Sequence, residues 1–136
     1  MSDNGTLVDT NVLLDVFDED PRWVEWSTEQ LTAAFERGRV LINPIVYAEV
    51  SVGFERAEEL DDALPERYFH REPLSYPAGF LAGKAFERYR RNGGTRPTPI
   101  ADFYIGAHAL VHGYTLLTRD RNRYSTYFPK LQLVTP

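Results

Sequence analysis

The sequence predicts an α/β fold: one domain with a central, mostly parallel sheet of about five strands that is sandwiched by helices. Three observations lead to this fold class. Helical and extended patterns alternate along all 136 residues, as in proteins with parallel sheets. Hydrophobic residues make up 43% of the chain, which is enough for a packed core. A chain of this length buries one core rather than two, so residues 1–136 are expected to form a single domain.

In the first half of the chain, short apolar runs predict strands and longer amphipathic runs predict helices. In order, the predicted elements are a strand at Thr6–Val8, helices at residues 12–17 and 23–37, a strand at Val40–Ile42, and a helix at residues 45–54 that leads on through residues 56–63. Gly38 is a favourable residue just after a helix, and Pro44 favours the first turn of the next one. Pro65 then ends the helical stretch.

The second half of the chain continues this alternation. In order, it predicts a strand at residues 68–74, a helix at 80–91, a helix from 99 to about 112, a strand at Thr115–Leu117, a connection rich in arginine and tyrosine at 119–128, and a strand at 131–134. Gly93 and Gly94 favour the end of the first of these helices. Thr98 and Pro99 supply a cap and a first-turn proline for the second one.

Composition excludes several classes of protein. The chain has no cysteine, so it has neither a disulfide framework nor a thiolate metal site. No stretch approaches the roughly 20 apolar residues that a membrane span needs, and the N-terminus lacks the basic and apolar regions of an export signal. We therefore expect a cytoplasmic protein without a membrane partner.

The charge is unevenly distributed along the chain, whose formal net charge is −5. Residues 1–75 contain six arginines and 17 acidic residues, whereas residues 76–136 contain nine lysines and arginines and three acidic residues. The second half is therefore predicted to be the part that could contact the phosphates of a nucleic acid. The alternative is that these charges are spread over a solvated surface.

Two candidate site residues follow predicted strands directly. Asp9 comes after Thr6–Val8, and Asp120 lies just beyond Thr115–Leu117. Open parallel sheets bind their ligands beyond the carboxyl ends of the strands, so both acids are placed where a site is expected. Each also has a structural alternative, because Asp9 could cap the next helix and Asp120 could form a turn.

Two further acids lie within apolar helices. The predicted helix around Glu49 has no clearly polar face, and a lone buried carboxylate is costly unless a charge or a metal ion is its partner. Asp102 lies in a first helical turn, where the helix dipole favours an acid. The rest of its helix is slender and apolar, which indicates that Asp102 points into a site.

Four oxygen ligands without cysteine suit Mg²⁺ or Mn²⁺, and such a cation would relieve the repulsion among the carboxylates.

Four segments resemble one known family in their order and spacing. They are residues 7–15 (LVDTNVLLD), 47–50 (YAEV), 101–109 (ADFYIGAHA) and 117–120 (LTRD). Together they resemble the PIN-domain ribonucleases, and most closely the VapC-type toxins of type II toxin–antitoxin pairs. The resemblance implies Mg²⁺- or Mn²⁺-dependent hydrolysis of single-stranded RNA or of exposed RNA loops. It also implies a homodimer that is inhibited by a small cognate antitoxin protein.

The resemblance also implies roles for individual residues. Asp9, Glu49 and Asp102 would be the principal catalytic metal ligands, and Asp120 would complete the set. Thr10, Asn11 and Thr118 match polar positions that orient these ligands or water.

The basic residues around Asp120 are candidates for RNA binding. Arg119, Arg121 and Arg123 are interleaved with Tyr124 and Tyr127, a combination that could hold phosphates and stack unpaired bases. The set of predicted RNA-binding residues is Arg119, Arg121, Arg123 and, on an opposing wall, Arg96. The alternative is a solvated basic loop beside an ordinary helix.

Two other functions remain alternatives. A haloacid-dehalogenase-type phosphatase also begins with an aspartate at a strand end, but it uses Asp-x-Asp and this chain has Asn11 at the third position. A PIN-like binding or scaffold protein without catalysis is the non-enzyme alternative. His108 and His112 have helical spacing, but no zinc motif surrounds them, so we expect packing or surface roles.

Overall fold

A computed structural model of the protein describes residues 4–96 and 100–136. The helices within these ranges are α1 (Thr10–Phe17), α2 (Val24–Arg37), α3 (Pro44–Ser51), α4 (Ala57–Ala63), α5 (Tyr76–Arg91), α6 (Ile100–His112) and α7 (Arg121–Tyr127). The strands are β1 (Thr6–Val8), β2 (Val40–Ile42), β3 (Phe69–Arg71), β4 (Thr115–Leu117) and β5 (Leu133–Val134). The predicted cap of α6, Thr98 with Pro99, lies outside the described residues.

The strands form one five-stranded sheet in the order β3-β2-β1-β4-β5, and every pairing is parallel. Thr6 of β1 lies beside Val40 on one side and Thr115 on the other. The chain thus runs from β1 to one edge of the sheet, returns, and continues from β4 to the other edge. The predicted α/β class with a parallel sheet is confirmed, and the direction of strand addition reverses between β1 and β4.

Burial of the central strands shows that both faces of the sheet are covered. Every residue of β1, β2 and β4 is buried, as expected when helices lie on both sides of a parallel sheet. Crossovers between parallel strands are right-handed as a rule. The helices between β1 and β3 and those after β3 therefore cover opposite faces, which confirms the sandwich of helices around the sheet.

The connection predicted at residues 119–128 contains a helix, α7. Asp120 caps this helix by accepting a hydrogen bond from the Arg123 N–H, and Tyr124 and Phe128 pack into the core. Gly106 of α6 allows a close approach, since a Cβ at this position would lie 2.6 Å from Phe128. This packing holds α7 against α6, and the ion pair between Arg123 and Asp102 joins their first turns.

Several element ends also differ from the prediction. Helix α1 begins at Thr10 because Asp9 caps it, and α5 begins at Tyr76 because Ser75 caps it. The structure contradicts one prediction about burial: only Val46 and Val50 of α3 are buried, so the helix that carries Glu49 exposes part of its surface. In the part of the chain that the structure describes, no helix is long and apolar enough to cross a membrane.

Candidate active site

The carboxyl ends of β1 and β4 define the candidate site. Val8 and Leu117 are the last residues of these paired strands, and the N–H of Asp9 donates to the carbonyl of Leu117 at 2.9 Å. This is where the direction of strand addition reverses, and open α/β sheets bind ligands at such a point. Asp9, Thr118 and Asp120 all follow these two strand ends.

Asp9 is a buried carboxylate held by neutral donors. Its side chain is 4% exposed. Oδ2 accepts hydrogen bonds from the hydroxyls of Thr118 at 2.7 Å and Tyr124 at 3.1 Å, and Oδ1 accepts one from the Thr10 N–H at 2.8 Å. Asp9 therefore caps α1, which was the alternative to a role in the site, and it also lies where the site was predicted.

The surroundings of Asp9 disfavour its charge. Burial raises the pKa of Asp9 to about 6; the Thr118 hydrogen bond opposes this rise, and the negative charge of Asp102 adds to it. No lysine or arginine forms an ion pair with Asp9 within residues 4–96 and 100–136. A buried carboxylate without a cationic partner is the chemical situation that a bound cation relieves.

Glu49 reaches the site from α3. The hydroxyl of Thr10 donates to its Oε1 at 2.5 Å, and the negative charge of Glu49 raises the pKa of Asp102. Thr10 thus connects two predicted ligands, because its N–H bonds Asp9 and its hydroxyl bonds Glu49.

Asp102 and Asp120 share a cationic neighbour, Arg123. The Arg123 Nη1 forms an ion pair with Asp102, and its Nε lies 3.4 Å from Oδ2 of Asp120. Burial raises the pKa of Asp102, the charge of Arg123 opposes this rise, and the charges of Glu49 and Asp120 add to it. Asp102 is therefore close enough to each of the other three predicted acids to interact with it electrostatically.

Asn11 and Thr118 connect the acids through hydrogen bonds. The Asn11 Nδ2 lies 3.4 Å from Oδ2 of Asp9, and its Oδ1 accepts the N–H of Arg119 at 3.3 Å. The Thr118 hydroxyl donates to Asp9 and accepts the N–H of Asp120 at 3.0 Å. The structure therefore places each of the three predicted polar positions in contact with a predicted acid, while their functional role stays a prediction.

The atoms that the four acids offer are suited to binding a hard divalent cation. Asp9, Glu49, Asp102 and Asp120 offer only oxygen, which Mg²⁺ and Mn²⁺ prefer. In the described ranges, no three acidic or histidine side chains converge closely enough to hold an ion as they stand. Arg123 instead supplies the positive charge at Asp102 and Asp120, and it would have to yield to a cation there.

The predicted RNA-binding residues fall into different environments. Arg96 and Arg121 are exposed, and Arg123 pairs with the acids. Arg119 donates to both carboxylate oxygens of Asp15 and lies 4.9 Å from the ring centroid of Trp23. These contacts give Arg119 an intramolecular role, and its contact with RNA stays a prediction. The structure contradicts base stacking by Tyr124, because this ring is 1% exposed and its hydroxyl bonds Asp9.

Sequence reasoning missed a hydrogen-bonded link between α3 and α6. The Asn43 Oδ1 caps α3 through the Val46 N–H at 3.0 Å, so its Nδ2 is the group 2.9 Å from Nδ1 of His108. His108 is buried, and this burial lowers its pKa to about 4. The expected packing role of His108 is confirmed. The spacing of His108 to His112 gave no indication that Asn43 is the partner, because Asn43 and His108 are 65 positions apart in the sequence.

Comparison with known protein families identifies the family to which the chain is similar. The profile of the PIN domain matches residues 6–129. No curated protein matches the chain.

Solved structures of similar fold include VapBC2 from Rickettsia felis bound to a promoter DNA fragment (19% identity, 96% of this chain and 97% of that chain covered, TM-score 0.72). They also include FitAcB from Neisseria gonorrhoeae (23% identity, 94% and 95% covered, TM-score 0.66). A third is a toxin–antitoxin complex from Klebsiella pneumoniae (22% identity, 97% and 98% covered, TM-score 0.69). These similarities extend over nearly the whole of each chain, and at such identities they establish the fold.

Proposed function

Because the chain belongs to the PIN-domain family, we propose that it is a metal-dependent endoribonuclease that hydrolyses phosphodiester bonds of RNA. The observation that carries the proposal is the Asp9 carboxylate. It is buried at the sheet's switch point, it lies near the acids Glu49, Asp102 and Asp120, and it has no cationic partner in the described residues. PIN domains are generally nucleases, and this arrangement supports that activity here.

The proposed metal ligands are Asp9, Glu49 and Asp102, with Asp120 completing the set. When bound, Mg²⁺ or Mn²⁺ would polarise a phosphoryl oxygen and lower the pKa of a water molecule. Such a reaction needs no nucleophilic side chain from the protein.

The chain's own residues position these carboxylates. The hydroxyls of Thr118 and Tyr124 fix the orientation of the Asp9 carboxylate through hydrogen bonds. The hydroxyl of Thr10 fixes the orientation of the Glu49 carboxylate in the same way. Arg123 neutralises Asp102 in the absence of a cation, and once displaced by a bound cation its guanidinium could stabilise the negative charge that develops on a phosphate. The hydrogen bonds are present before substrate binds, so this part of the site is preorganised.

We propose that the partner is a small cognate antitoxin protein, and that the chain is the toxin of a VapBC-type pair acting in the cytoplasm as a homodimer. Solved structures of similar fold are VapBC or toxin–antitoxin assemblies, which supports this partner by analogy. A short gene next to that of this chain would be the corresponding genetic observation.

A catalytically silent PIN-domain binding protein is the second candidate. The observation that favours it is Arg123, which already neutralises Asp102 and neighbours Asp120. The haloacid-dehalogenase alternative gains no support, because the chain matches the PIN domain instead.

Expression of the protein without a partner tests the proposed function. We expect growth arrest and new RNA 5′ ends, mapped across the transcriptome, that carry 5′-phosphates. The purified protein should cut the same sequences with Mg²⁺ or Mn²⁺ and stop when EDTA is added. Binding of RNA without any new 5′ ends would favour the silent binding protein.

A further inference from the structure

A cleft of about 240 Å³ opens beside the carboxylates, and it brings together Arg96, Arg123 and Tyr127 from the predicted RNA-binding region. We call it the aromatic cleft; it is lined by Tyr89, Arg96, Phe103, Asn122, Arg123 and Tyr127. Two of these residues connect it to the candidate active site. Arg123 pairs with Asp102, and Phe103 is the residue that follows Asp102. A ligand in the aromatic cleft would therefore be separated from the Asp102 carboxylate by the side chain of Arg123.

Aromatic rings form most of the apolar wall of the cleft. The ring centroid of Phe103 lies 5.0 Å from that of Tyr127 and 5.7 Å from that of Tyr89, and these rings meet edge to face. Phe103 is buried beneath them, whereas Tyr89 and Tyr127 are half-buried. The partly exposed rings of Tyr89 and Tyr127 are available to a flat ligand, and unpaired bases stack on aromatic rings whatever their sequence.

The polar residues of the cleft are cationic or neutral. Arg96 and Arg123 line it, and the Arg88 guanidinium lies 5.8 Å from the ring centroid of Tyr127. Asn122 adds an exposed amide, which offers both a donor and an acceptor to the edge of a base. None of the six lining residues is acidic. Cations for phosphates, rings for stacking and an amide for a base edge together suit a nucleotide.

We propose that the aromatic cleft holds one unpaired nucleobase of an RNA strand, next to the phosphate that reaches the carboxylates. Pockets for drug-sized ligands have volumes of roughly 300–1,000 Å³, so this smaller cleft suits a single ring system. A base inside a duplex is already stacked and paired, and it would have to be flipped out before it could enter, which an unpaired base need not be. The cleft thus selects single-stranded RNA or an unpaired loop. This inference rests on the proposed function for the identity of the polymer.

Binding measured in EDTA separates the cleft from catalysis. The probes are a fluorescein-labelled single-stranded RNA and an oligonucleotide with the same backbone and no bases, and the readout is fluorescence anisotropy. Tyr127→Leu removes a ring face, so we expect it to weaken binding of the RNA about tenfold, as for the loss of one stacked base. Binding of the abasic probe should stay unchanged. Tyr127→Phe keeps the ring and should restore RNA binding.

A matched control is available at another tyrosine. Tyr68→Leu makes the same substitution at an exposed ring that packs against Phe35 and not in the cleft, and we expect it to bind both probes like the wild type. If Tyr127→Leu does not fold, Asn122→Ala at an exposed position serves instead. It should weaken RNA binding about threefold through the loss of one hydrogen bond.

The outcomes distinguish this inference from the proposed function. A folded Tyr127→Leu variant that binds the RNA as tightly as the wild type would overturn the inference and leave the cleft to a protein partner. Equal binding of RNA and abasic probe by the wild type would overturn it too. Base-dependent binding by a protein that never cuts RNA would instead support the cleft and contradict the nuclease.

Discussion

Arg119 holds the carboxylate of Asp15 through two hydrogen bonds, from Nε at 2.6 Å and from Nη2 at 2.9 Å. Asp15 lies in α1 and is buried, and the Ser27 hydroxyl also donates to it at 2.6 Å. The pair ties the segment after β4 to the first helix. Because Thr118 and Asp120 flank Arg119, this tie helps to keep both of them beside Asp9.

Arg119→Leu should destabilise the fold. It leaves a buried carboxylate without its cation, and we expect the free energy of unfolding to fall by about 2–4 kcal/mol, less than for a fully buried pair because Arg119 is partly exposed. Urea unfolding followed by circular dichroism measures this change. The control is Arg121→Leu at an exposed neighbouring position, which should change the free energy of unfolding by about 0.5 kcal/mol or less. Equal stability of the two variants would show that the ion pair contributes nothing.

His108 should make stability depend on pH. Burial lowers its pKa to about 4 from the usual value of 6.5, so the unfolded chain binds the proton more strongly between these values. His112 adds to the lowering and Glu72 opposes it. The contribution of His108 to stability is present above pH 6.5 and is lost as the pH falls towards 4.

The variant His108→Gln isolates this effect, because glutamine can still accept the hydrogen bond from Asn43 without titrating near neutral pH. Between pH 7 and pH 4.5, we expect the wild type to lose about 2–3 kcal/mol more of its free energy of unfolding than the variant does. Parallel pH profiles for the two proteins would contradict the assignment of a buried neutral histidine.

Thr10→Val tests the connection between Asp9 and Glu49. Valine keeps the shape of threonine but cannot donate to Glu49, so the carboxylate loses its fixed orientation. We expect Mn²⁺ affinity to fall about tenfold, a typical cost of removing a group that orients a metal ligand. Loss of the free Mn²⁺ signal in electron paramagnetic resonance measures this affinity. Thr10→Ser keeps the hydroxyl and should bind Mn²⁺ nearly as the wild type does; an unaltered affinity of Thr10→Val would show that this hydroxyl does not orient a ligand.

The sequence was most informative where short-range patterns decide the structure. The apolar runs at β1 and β4 placed Asp9 and Asp120 at strand ends, and the structure has the same two strands. Helix α7 was missed because its residues show no clear apolar periodicity; the burial of Tyr124, which packs against Gly106 of α6, depends on tertiary structure. Partners such as Asp15 and Arg119, which are 104 positions apart, depend on strand order and could not be read from either segment alone.

The variant Asp9→Asn tests the central proposal most directly. Asparagine keeps the size of the side chain and one acceptor oxygen that can cap α1 through the Thr10 N–H, while the hydroxyls of Thr118 and Tyr124 can rotate to accept from its amide. The variant should therefore stay folded while the negative charge is lost, which circular dichroism checks. The measurement is cleavage of an end-labelled single-stranded RNA by purified wild type and variant with Mg²⁺, with Mn²⁺ and with EDTA. We expect the wild type to cut the RNA only with a divalent cation, and the variant to be slower by about 100-fold or more. Equal cleavage by wild type and variant, or cleavage by the wild type that persists in EDTA, would contradict the proposed metal-dependent mechanism.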